Sequence, residues 1–305
     1  MTEAPSPFIE GTNIQMAWDS TSLGWLKSCP KLYEYSMIQG WRAKSLSVDL
    51  DFGLHYHRAL ETFDRLRAEG QDYDQALRGI VRQTLVETWP WLHEDTNKSR
   101  ANLLRSIIWY CEHFRDDNAH TVILTNGKPA VELSFRIELD HLAPNGSPYL
   151  LSGHLDRIVE FGGEQYVSDR KTSRATLGPY YFKHFDMDPQ MSGYTLAGQV
   201  AFKSPVRGVI IDAAQIAVGF TRFERGVTYR TPARTEEWLA DTYQWLDLAV
   251  QYANRNHWPR NDRSCRMCAF KGVCASDPSV RTKFLESDFE HRPWNPIKVR
   301  DGSPS

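Results

Sequence analysis

Apolar positions recur with two different periods along the chain, and the change of period separates a helical first part from a strand-rich middle. In the first part they recur every three to four residues, which is the helical period. Gly70 is typical of a helix end, and Cys29-Pro30 of a break. The predicted helices are Thr21–Gln39 with that break, Asp51–Glu69, Tyr73–Trp89 and Lys98–Asn118. Within Asp51–Glu69, the residues at helical spacing are Leu54, His57, Leu60 and Phe63.

The middle of the chain has the period of two that is typical of strands. From Ala130 to Leu139, apolar residues alternate with polar ones. Further strands are predicted at Tyr149–Phe161, Glu164–Thr172, Gly208–Val218 and Arg222–Tyr229, and helices at Pro189–Phe202 and Thr235–Asn254. Helices, three antiparallel strands, a helix, strands and a final helix predict an α/β or α+β domain with a helical insertion at its front.

Composition excludes few classes of protein. A chain of 305 residues with 41% apolar and 24% charged residues is an ordinary globular protein. The net charge of −2 gives no overall basic field for nucleic acid, although a local basic groove would suffice. The sequence contains no membrane-spanning apolar run, no secretory signal and no phosphate-binding G-x-x-x-x-G-K-[ST] loop. We therefore expect a cytoplasmic protein without an ATP motor of that type.

Gly162-Gly163 suits the two-residue turn of a β-hairpin. With this turn, the two residues that lie opposite each other move one position away from the turn on both strands at each step. Asp156 is therefore opposite Asp169. Both side chains then point to the same face, and Lys171, two residues on, joins them. The hairpin therefore predicts an acidic pair with a neighbouring lysine.

Two carboxylates roughly 5 Å apart on adjacent strands repel each other. A divalent cation such as Mg²⁺, which prefers oxygen ligands, would relieve this repulsion. Lys171 could then polarise an attacking water or stabilise negative charge on a phosphate. On the hairpin alone, a polar face that carries these residues by chance is an equal alternative.

Four motifs together resemble one nuclease family. Gly153–Asp156 followed by Ser168–Thr172 is similar to the split P-D…(D/E)-x-K signature of the restriction-endonuclease-like, PD-(D/E)XK, superfamily. Gly53–His57 and Gln190–Tyr194 resemble the G-x-x-x-H and Q-x-x-x-Y motifs of one branch, which holds the nuclease domains of bacterial recombination helicase–nucleases and CRISPR-associated exonucleases. The resemblance implies an α/β, restriction-endonuclease-like core with a central mixed sheet flanked by helices, an N-terminal helical region and a C-terminal cysteine-cluster segment.

The resemblance also implies a metal site for Mg²⁺ or Mn²⁺. His57, Asp156 and Asp169 would be its ligands, together with the backbone carbonyl of Arg170. His55 is the alternative histidine, but it falls on the other side of the helix from the apolar positions. A histidine buried in the core for structural reasons is the alternative for His57.

Gln190 and Tyr194 are one helical turn apart and would contact DNA or support the catalytic Lys171. The branch usually has an apolar or aromatic residue at the position of Arg170. The arginine therefore leaves open which side chains pack against its face of the strand. The cations predicted as phosphate contacts are Arg170, Arg174, Lys183 and Arg100 or Arg105.

The cysteines predict a second site. Cys265, Cys268 and Cys274 have the spacing C-x2-C-x5-C, and Cys29 is the candidate fourth ligand, whereas Cys111 lies on an apolar helix face. The spacing of the cysteines does not favour a [4Fe–4S] cluster over a structural Zn²⁺, or the reverse. The resemblance favours the iron–sulfur cluster, which would join the N-terminal helices to the C-terminal end.

The function predicted from these residues is that of a Mg²⁺- or Mn²⁺-dependent DNA nuclease. It would be an exonuclease acting on single-stranded DNA or duplex ends in recombination, repair or DNA processing, in a prokaryotic or phage-infected cell. A helicase or recombination protein would be a partner. The alternative is a non-cleaving DNA-binding or scaffold protein of the same fold.

The sequence also predicts how the chain is divided. The expected segments are a flexible N-terminus 1–20, a helical region 21–120, a nuclease core 121–260, a cysteine segment 261–292 and a flexible tail 293–305.

Overall fold

A computed structural model describes residues 5–44, 47–202 and 206–298 of the chain. The α-helices of these residues are α1 (Ser20–Ser28), α2 (Pro30–Tyr33), α3 (Val48–Ala68), α4 (Tyr73–Glu87), α5 (Arg100–His113), α6 (Pro179–Lys183), α7 (Pro189–Phe202), α8 (Pro232–Asn254), α9 (Lys271–Ala275) and α10 (Arg281–Asp288). The strands are β1 (Ala17–Trp18), β2 (Trp41–Ala43), β3 (His120–Thr121), β4 (Val131–Leu142), β5 (Pro148–Phe161), β6 (Glu164–Ser173), β7 (Val206–Ile216), β8 (Thr221–Tyr229) and β9 (Phe289–His291).

These elements form two compact units, each discontinuous in sequence. The first unit holds residues 5–44, 135–153 and 233–298, and the second holds 47–134, 154–202 and 206–232. Strands β4 and β5 each contribute to both units. The bounds differ from the contiguous segments predicted above, because strands that pair within one unit come from distant parts of the chain.

The second unit contains the predicted central mixed sheet. Its strands follow the order β5, β6, β7, β8, with β3 and β4 also paired to β5. The pair β5–β6 is antiparallel, β6–β7 is parallel and β7–β8 is antiparallel. Helices α3, α4 and α5 share one hydrophobic core with β7, to which Leu60, Ile80, Ile107 and Ala214 belong. The predicted α/β class with a mixed sheet and flanking helices is confirmed.

Helix α3 shows where the helical spacing alone was misleading. Ser47 caps the helix, since its side chain accepts a hydrogen bond from the Leu50 backbone N–H at 3.3 Å. The buried face includes Phe52 and Tyr56, whereas Leu54 is 51% exposed. Leu54 has the helical spacing of Leu60 but does not lie on the buried face, because the two aromatic side chains half a turn away fill the core instead. Cys111 lies in that same core, as predicted.

The first unit buries residues that the sequence predicted to be flexible. Trp18 of β1 is 1% exposed and stacks on Tyr33, with ring centroids 5.5 Å apart. Strand β1 pairs in parallel with β5 through Leu150 and Leu151. The expectation of a flexible segment over 1–20 therefore does not hold for residues 14–18, and residues 1–4 lie outside the described residues.

The predicted flexible tail is also partly fixed within the first unit. Ile297 is 8% exposed, and its carbonyl accepts a hydrogen bond from Arg136 Nη2 at 2.7 Å. Residues 299–305 lie outside the described residues. Throughout the described ranges, no helix has both the length and the apolar character needed to cross a membrane.

A close approach of β7 and β8 gives the first prediction. A Cβ atom at Gly208 would lie 2.4 Å from the Thr228 carbonyl oxygen. We expect Gly208→Ala to lower the free energy of unfolding by about 1–3 kcal/mol, because the backbone must move to admit the methyl group. Urea denaturation followed by circular dichroism measures this change.

Gly79→Ala in α4 is the matched control. Its Cβ would meet only Leu66 Cδ1, at an ordinary 3.6 Å. Since alanine favours a helix over glycine, this variant should gain about 0.5–1 kcal/mol. Equal stability of the two variants would contradict the close packing of β7 on β8.

Candidate active site and cysteine cluster

Strands β5 and β6 form the predicted hairpin in the second unit. Gly162 and Gly163 have φ of +61° and +79°, the left-handed backbone that a two-residue type I′ turn requires. Residues 157–161 pair with 164–168 in the order that this turn dictates. The predicted register is therefore confirmed for the pairs next to the turn.

Asp156 and Asp169 are the next residues along the two strands. Asp156 Oδ2 lies 3.0 Å from His57 Nδ1 of α3 and accepts a hydrogen bond from the Arg170 backbone N–H at 3.3 Å. His55, the alternative histidine, lies 3.6 Å from Asp51 instead. The structure therefore brings His57 to the acidic pair from a helix about a hundred residues away in sequence.

Lys171 connects the acidic pair to helix α7. Its Nζ lies 2.7 Å from Asp169 Oδ2 and donates a hydrogen bond to Gln190 Oε1 at 2.9 Å. Gln190 Nε2 in turn donates to the Tyr194 hydroxyl at 2.9 Å. Of the two roles predicted for Gln190 and Tyr194, this arrangement favours support of Lys171.

The neighbouring carboxylates have opposite pKa shifts. Burial raises the pKa of Asp169 to about 6; Lys171 opposes the rise and the nearby Asp156 adds to it. Burial also disfavours the charge of Asp156, but His57 and Lys171 outweigh it and hold the pKa of Asp156 below its usual value. As the pH falls, Asp169 therefore takes up a proton before Asp156.

The two cationic groups respond to the same carboxylates. Burial lowers the pKa of Lys171, but Asp169 and Asp156 outweigh it, so the net shift is upward. The pKa of His57 is likewise raised, since Asp156 and Asp169 outweigh its burial. Lys171 is consequently a cation across the neutral pH range.

The Arg170 side chain is not available for phosphate, which corrects the prediction above. Its guanidinium is 3% exposed; Nη2 lies 2.7 Å from Asp64 Oδ2, and Nε donates to the Tyr110 hydroxyl at 3.2 Å. The question of what packs against that side of β6 is answered by a buried carboxylate of α3. The role of the Arg170 carbonyl as a metal ligand stays a prediction.

Other predicted phosphate contacts are engaged within the second unit. Arg174 pairs with Asp49 at 3.0 Å and Asp95 at 2.8 Å. Arg100 donates to the Leu85 carbonyl, and Arg105 to the carbonyls of residues 217 and 218. Lys183 is exposed. The three arginines are thus each held by acceptors of the fold.

Two buried groups near the site were missed from the sequence. Asp64 on α3 binds Arg157 and Arg170, and Lys98, 2% exposed, donates to Thr172 Oγ1 at 3.0 Å. The unusual arginine at position 170 was the one available signal, since a buried arginine requires an acidic partner. No feature of the sequence around Lys98 indicates that this lysine is buried.

The first unit places the predicted cysteine ligands in one region, but within the described ranges no three of them form a group that could already hold a metal ion. The Asn261 backbone N–H donates to Cys29 Sγ at 3.3 Å, and Cys265 Sγ donates to the Asn261 carbonyl at 3.7 Å. Burial raises the pKa of Cys268, and the neighbouring Cys29 and Cys265 add to the rise; at Cys274, burial acts together with Cys268 and Cys29. All of these cysteines are free thiols.

Comparisons with known proteins identify the family of the chain and a similar fold. A family model described as the PD-(D/E)XK nuclease superfamily matches residues 20–275. A solved structure from Eubacterium rectale, named as a candidate exonuclease, has a TM-score of 0.51 and 11% identity, over 83% of this chain and 86% of that chain. The structure of SSO0001 has a TM-score of 0.37 and 15% identity, over 85% of this chain and 86% of that one. No curated protein matches the chain.

The raised pKa of Asp169 gives a prediction for the protein kept in EDTA. The folded chain binds the Asp169 proton more tightly than the unfolded chain does, so this proton stabilises the fold at low pH and is lost as the pH rises through about 6. Asp169→Asn cannot ionise. We expect the free energy of unfolding of the wild type to rise, relative to Asp169→Asn, as the pH falls from about 7 to about 4.

Urea denaturation of both proteins across this pH range measures the difference. Asp116→Asn is the control, because Asp116 is exposed. Parallel pH profiles for the wild type and Asp169→Asn would mean that burial and Asp156 do not perturb Asp169.

Proposed function

Because the chain belongs to the PD-(D/E)XK nuclease superfamily, we propose that it is a metal-dependent deoxyribonuclease that degrades single-stranded DNA or duplex DNA from its ends. The observation that carries the proposal is a set of contacts around the acidic pair. His57 contacts Asp156, and Asp169 contacts Lys171. Lys171 in turn contacts Gln190, which contacts Tyr194. The name of the Eubacterium rectale protein supports an exonuclease over an endonuclease. The activity would be phosphodiester hydrolysis.

The donor atoms fit a divalent metal ion by their chemistry. Two carboxylates and one imidazole suit Mg²⁺ or, with its greater tolerance of nitrogen, Mn²⁺. Asp169 Oδ2 is buried and, apart from the Lys171 ion pair, has no polar partner among the described residues. His57, Asp156, Asp169 and the Arg170 carbonyl would hold the ion, which when bound would activate water for attack on phosphorus.

The side chains are engaged with one another in the structure. Within the described ranges, no three His, Cys, Asp or Glu side chains already form a group that could share an ion. Binding would therefore have to exchange the His57–Asp156 contact for contacts to the metal. The raised pKa of Asp169 is consistent with such a site, because burial and the nearby Asp156 disfavour its charge and a divalent cation would favour it.

Lys171 would act as a fixed positive charge. Its raised pKa keeps it protonated, so stabilisation of charge on the phosphate is favoured over removal of a proton from water. Gln190 holds Nζ in place, and the Tyr194 hydroxyl orients the Gln190 amide. Gln190 and Tyr194 are thus positioning residues for the ammonium group.

Variants of the acidic pair and the lysine test the proposed activity. We expect Asp169→Asn and Lys171→Ala each to reduce the cleavage rate by at least about 100-fold, since each removes charge that acts on the reacting phosphate. The substrates are 5′- and 3′-labelled single strands, blunt duplexes and closed circular DNA, with Mg²⁺ or Mn²⁺. An exonuclease should degrade the linear substrates and spare the closed circle.

Asp116→Asn and Lys128→Ala are the matched controls, because both residues are exposed and outside the site. Cleavage by the Asp169 and Lys171 variants at the rate of these controls would disprove the assignment. Absence of cleavage by the wild type with either metal, together with retained DNA binding, would instead indicate a scaffold protein.

We further propose that Cys29, Cys265, Cys268 and Cys274 hold a [4Fe–4S] cluster. The contacts of Cys29 and Cys265 with Asn261, and the electrostatic effect of Cys29 on Cys268 and Cys274, support a common set of ligands, and the backbone N–H that donates to Cys29 Sγ would stabilise a thiolate there. A structural Zn²⁺ requires the same ligands. Either group would join Cys29 to the C-terminal segment within the first unit.

Anaerobically purified protein distinguishes the two. We expect a brown protein that absorbs at about 400 nm and contains about four irons per chain. Cys268→Ser should lose the colour and destabilise the first unit, whereas Cys111→Ser, the control in the other core, should keep the colour. A colourless wild type with about one zinc per chain would establish Zn²⁺ in place of the cluster.

The biological setting follows from the proposed activity. Removal of nucleotides from DNA ends belongs to recombination, repair and the processing of captured DNA. A helicase or recombination protein that exposes single strands is the partner that such an activity would need.

A further inference from the structure

We propose that Asp64, Arg157 and Arg170 form a clamp that positions the acidic pair Asp156 and Asp169. The inference rests on the proposed function, because it assigns a positioning role within that site. The clamp and all of its contacts lie within the second unit.

The clamp consists of one carboxylate between two guanidinium groups. Asp64 Oδ1 lies 3.1 Å from Arg157 Nη1, and Asp64 Oδ2 lies 2.7 Å from Arg170 Nη2. All three residues are buried, with exposures of 8%, 7% and 3%. The Asp64 carboxylate thus connects β5 with β6, because each of its two oxygens binds the arginine of a different strand.

Each arginine is the chain neighbour of one acidic residue. Arg157 follows Asp156 on β5, and Arg170 follows Asp169 on β6. The Arg170 backbone N–H also donates to Asp156 Oδ2, at 3.3 Å. A shift of either arginine would therefore move the backbone that carries the carboxylates.

The same carboxylate fixes the helix that supplies the histidine. Asp64 lies seven residues after His57 in α3, which is about two helical turns, so both side chains are on one side of the helix. His57 contacts Asp156 at 3.0 Å, and Asp64 contacts the arginine that follows Asp156. A single rigid helix therefore sets the distance between the imidazole and the acidic pair.

Stability alone does not account for these buried charges. Apolar side chains of similar volume usually stabilise a core as well as a buried ion pair does, or better. An ion pair with two fixed oxygens, by contrast, specifies position and direction. The geometry points to positioning, because the clamp meets both strands at the residues next to the acidic pair.

Asp117 provides a control from a neighbouring ion pair, with a side chain that is 15% exposed against 8% for Asp64. It accepts two hydrogen bonds from Arg225, both at 2.6 Å, and Arg225 also binds Asp212. Asp117 follows α5 and contacts neither β5 nor β6 through these bonds. Asp64→Asn and Asp117→Asn therefore make the same chemical change, but only the first removes a carboxylate that binds Arg157 and Arg170 directly.

Three measurements compare the two variants with the wild type. For Asp64→Asn we expect kcat for DNA cleavage to fall about 10–100-fold at nearly unchanged KM, and Mn²⁺ affinity, measured by electron paramagnetic resonance, to fall by a similar factor. Amide exchange of the Arg170 N–H, followed by NMR without metal or DNA, should accelerate. Asp117→Asn should match the wild type in all three, although both variants lose stability.

Wild-type kcat, Mn²⁺ affinity and Arg170 exchange in a folded Asp64→Asn would overturn the clamp, as would equal losses in Asp117→Asn. If Asp64→Asn does not fold, Arg157→Met takes its place, since it leaves the Asp64–Arg170 pair intact and removes only the arm on β5. Unchanged values in that variant would also overturn the proposal. A wild type that cuts no DNA would contradict the proposed function, and the exchange measurement would still decide the clamp.

Discussion

Two carboxylates held side by side in a protein interior constrain everything around them. Asp156 and Asp169 lie on adjacent strands of the second unit, and burial, with the nearby Asp156 adding to its effect, raises the pKa of Asp169 to about 6. Lys171 and His57 supply nearby positive charge, and Gln190 and Tyr194 continue the contacts from Lys171 into α7. The chain belongs to a superfamily of nucleases, and the metal-dependent phosphodiester hydrolysis proposed for it would use such a pair, because a metal ion there needs closely spaced oxygen ligands.

The fold balances buried charge with buried charge on the opposite side of these strands. Arg170 binds Asp64 and the Tyr110 hydroxyl, and that hydroxyl donates to Asp212 Oδ2 at 2.9 Å. Asp212 in turn binds Arg225. Removal of a single member would leave its partner uncompensated in a core, which is more costly than never burying the pair. The site therefore depends on residues that do not reach it.

The cysteines of the first unit follow a similar principle of ligands gathered from distant sequence. Cys29 precedes α2, whereas Cys265, Cys268 and Cys274 lie beyond α8. Burial raises the pKa of Cys268 and Cys274, and the neighbouring cysteines add to the rise, so both side chains favour the neutral thiol. A cation bound to them would favour the thiolate instead. The hydrophobic cluster around Phe270 and Phe289 packs against these two cysteines and supports the segment that carries them.

The sequence by itself determined the local features: the helical and strand periods, the Gly162-Gly163 turn with its register, and the acidic pair with its lysine that the register implies. Each of these depends on spacing between near neighbours, which periodicity and turn geometry control. Only the tertiary structure decided that Leu54 is exposed, that Trp18 is buried, and that Arg170 turns inward to Asp64 instead of outward to phosphate. Residues 64 and 170 are far apart in the chain, and their pairing follows from how α3 packs on the sheet, which no local pattern specifies.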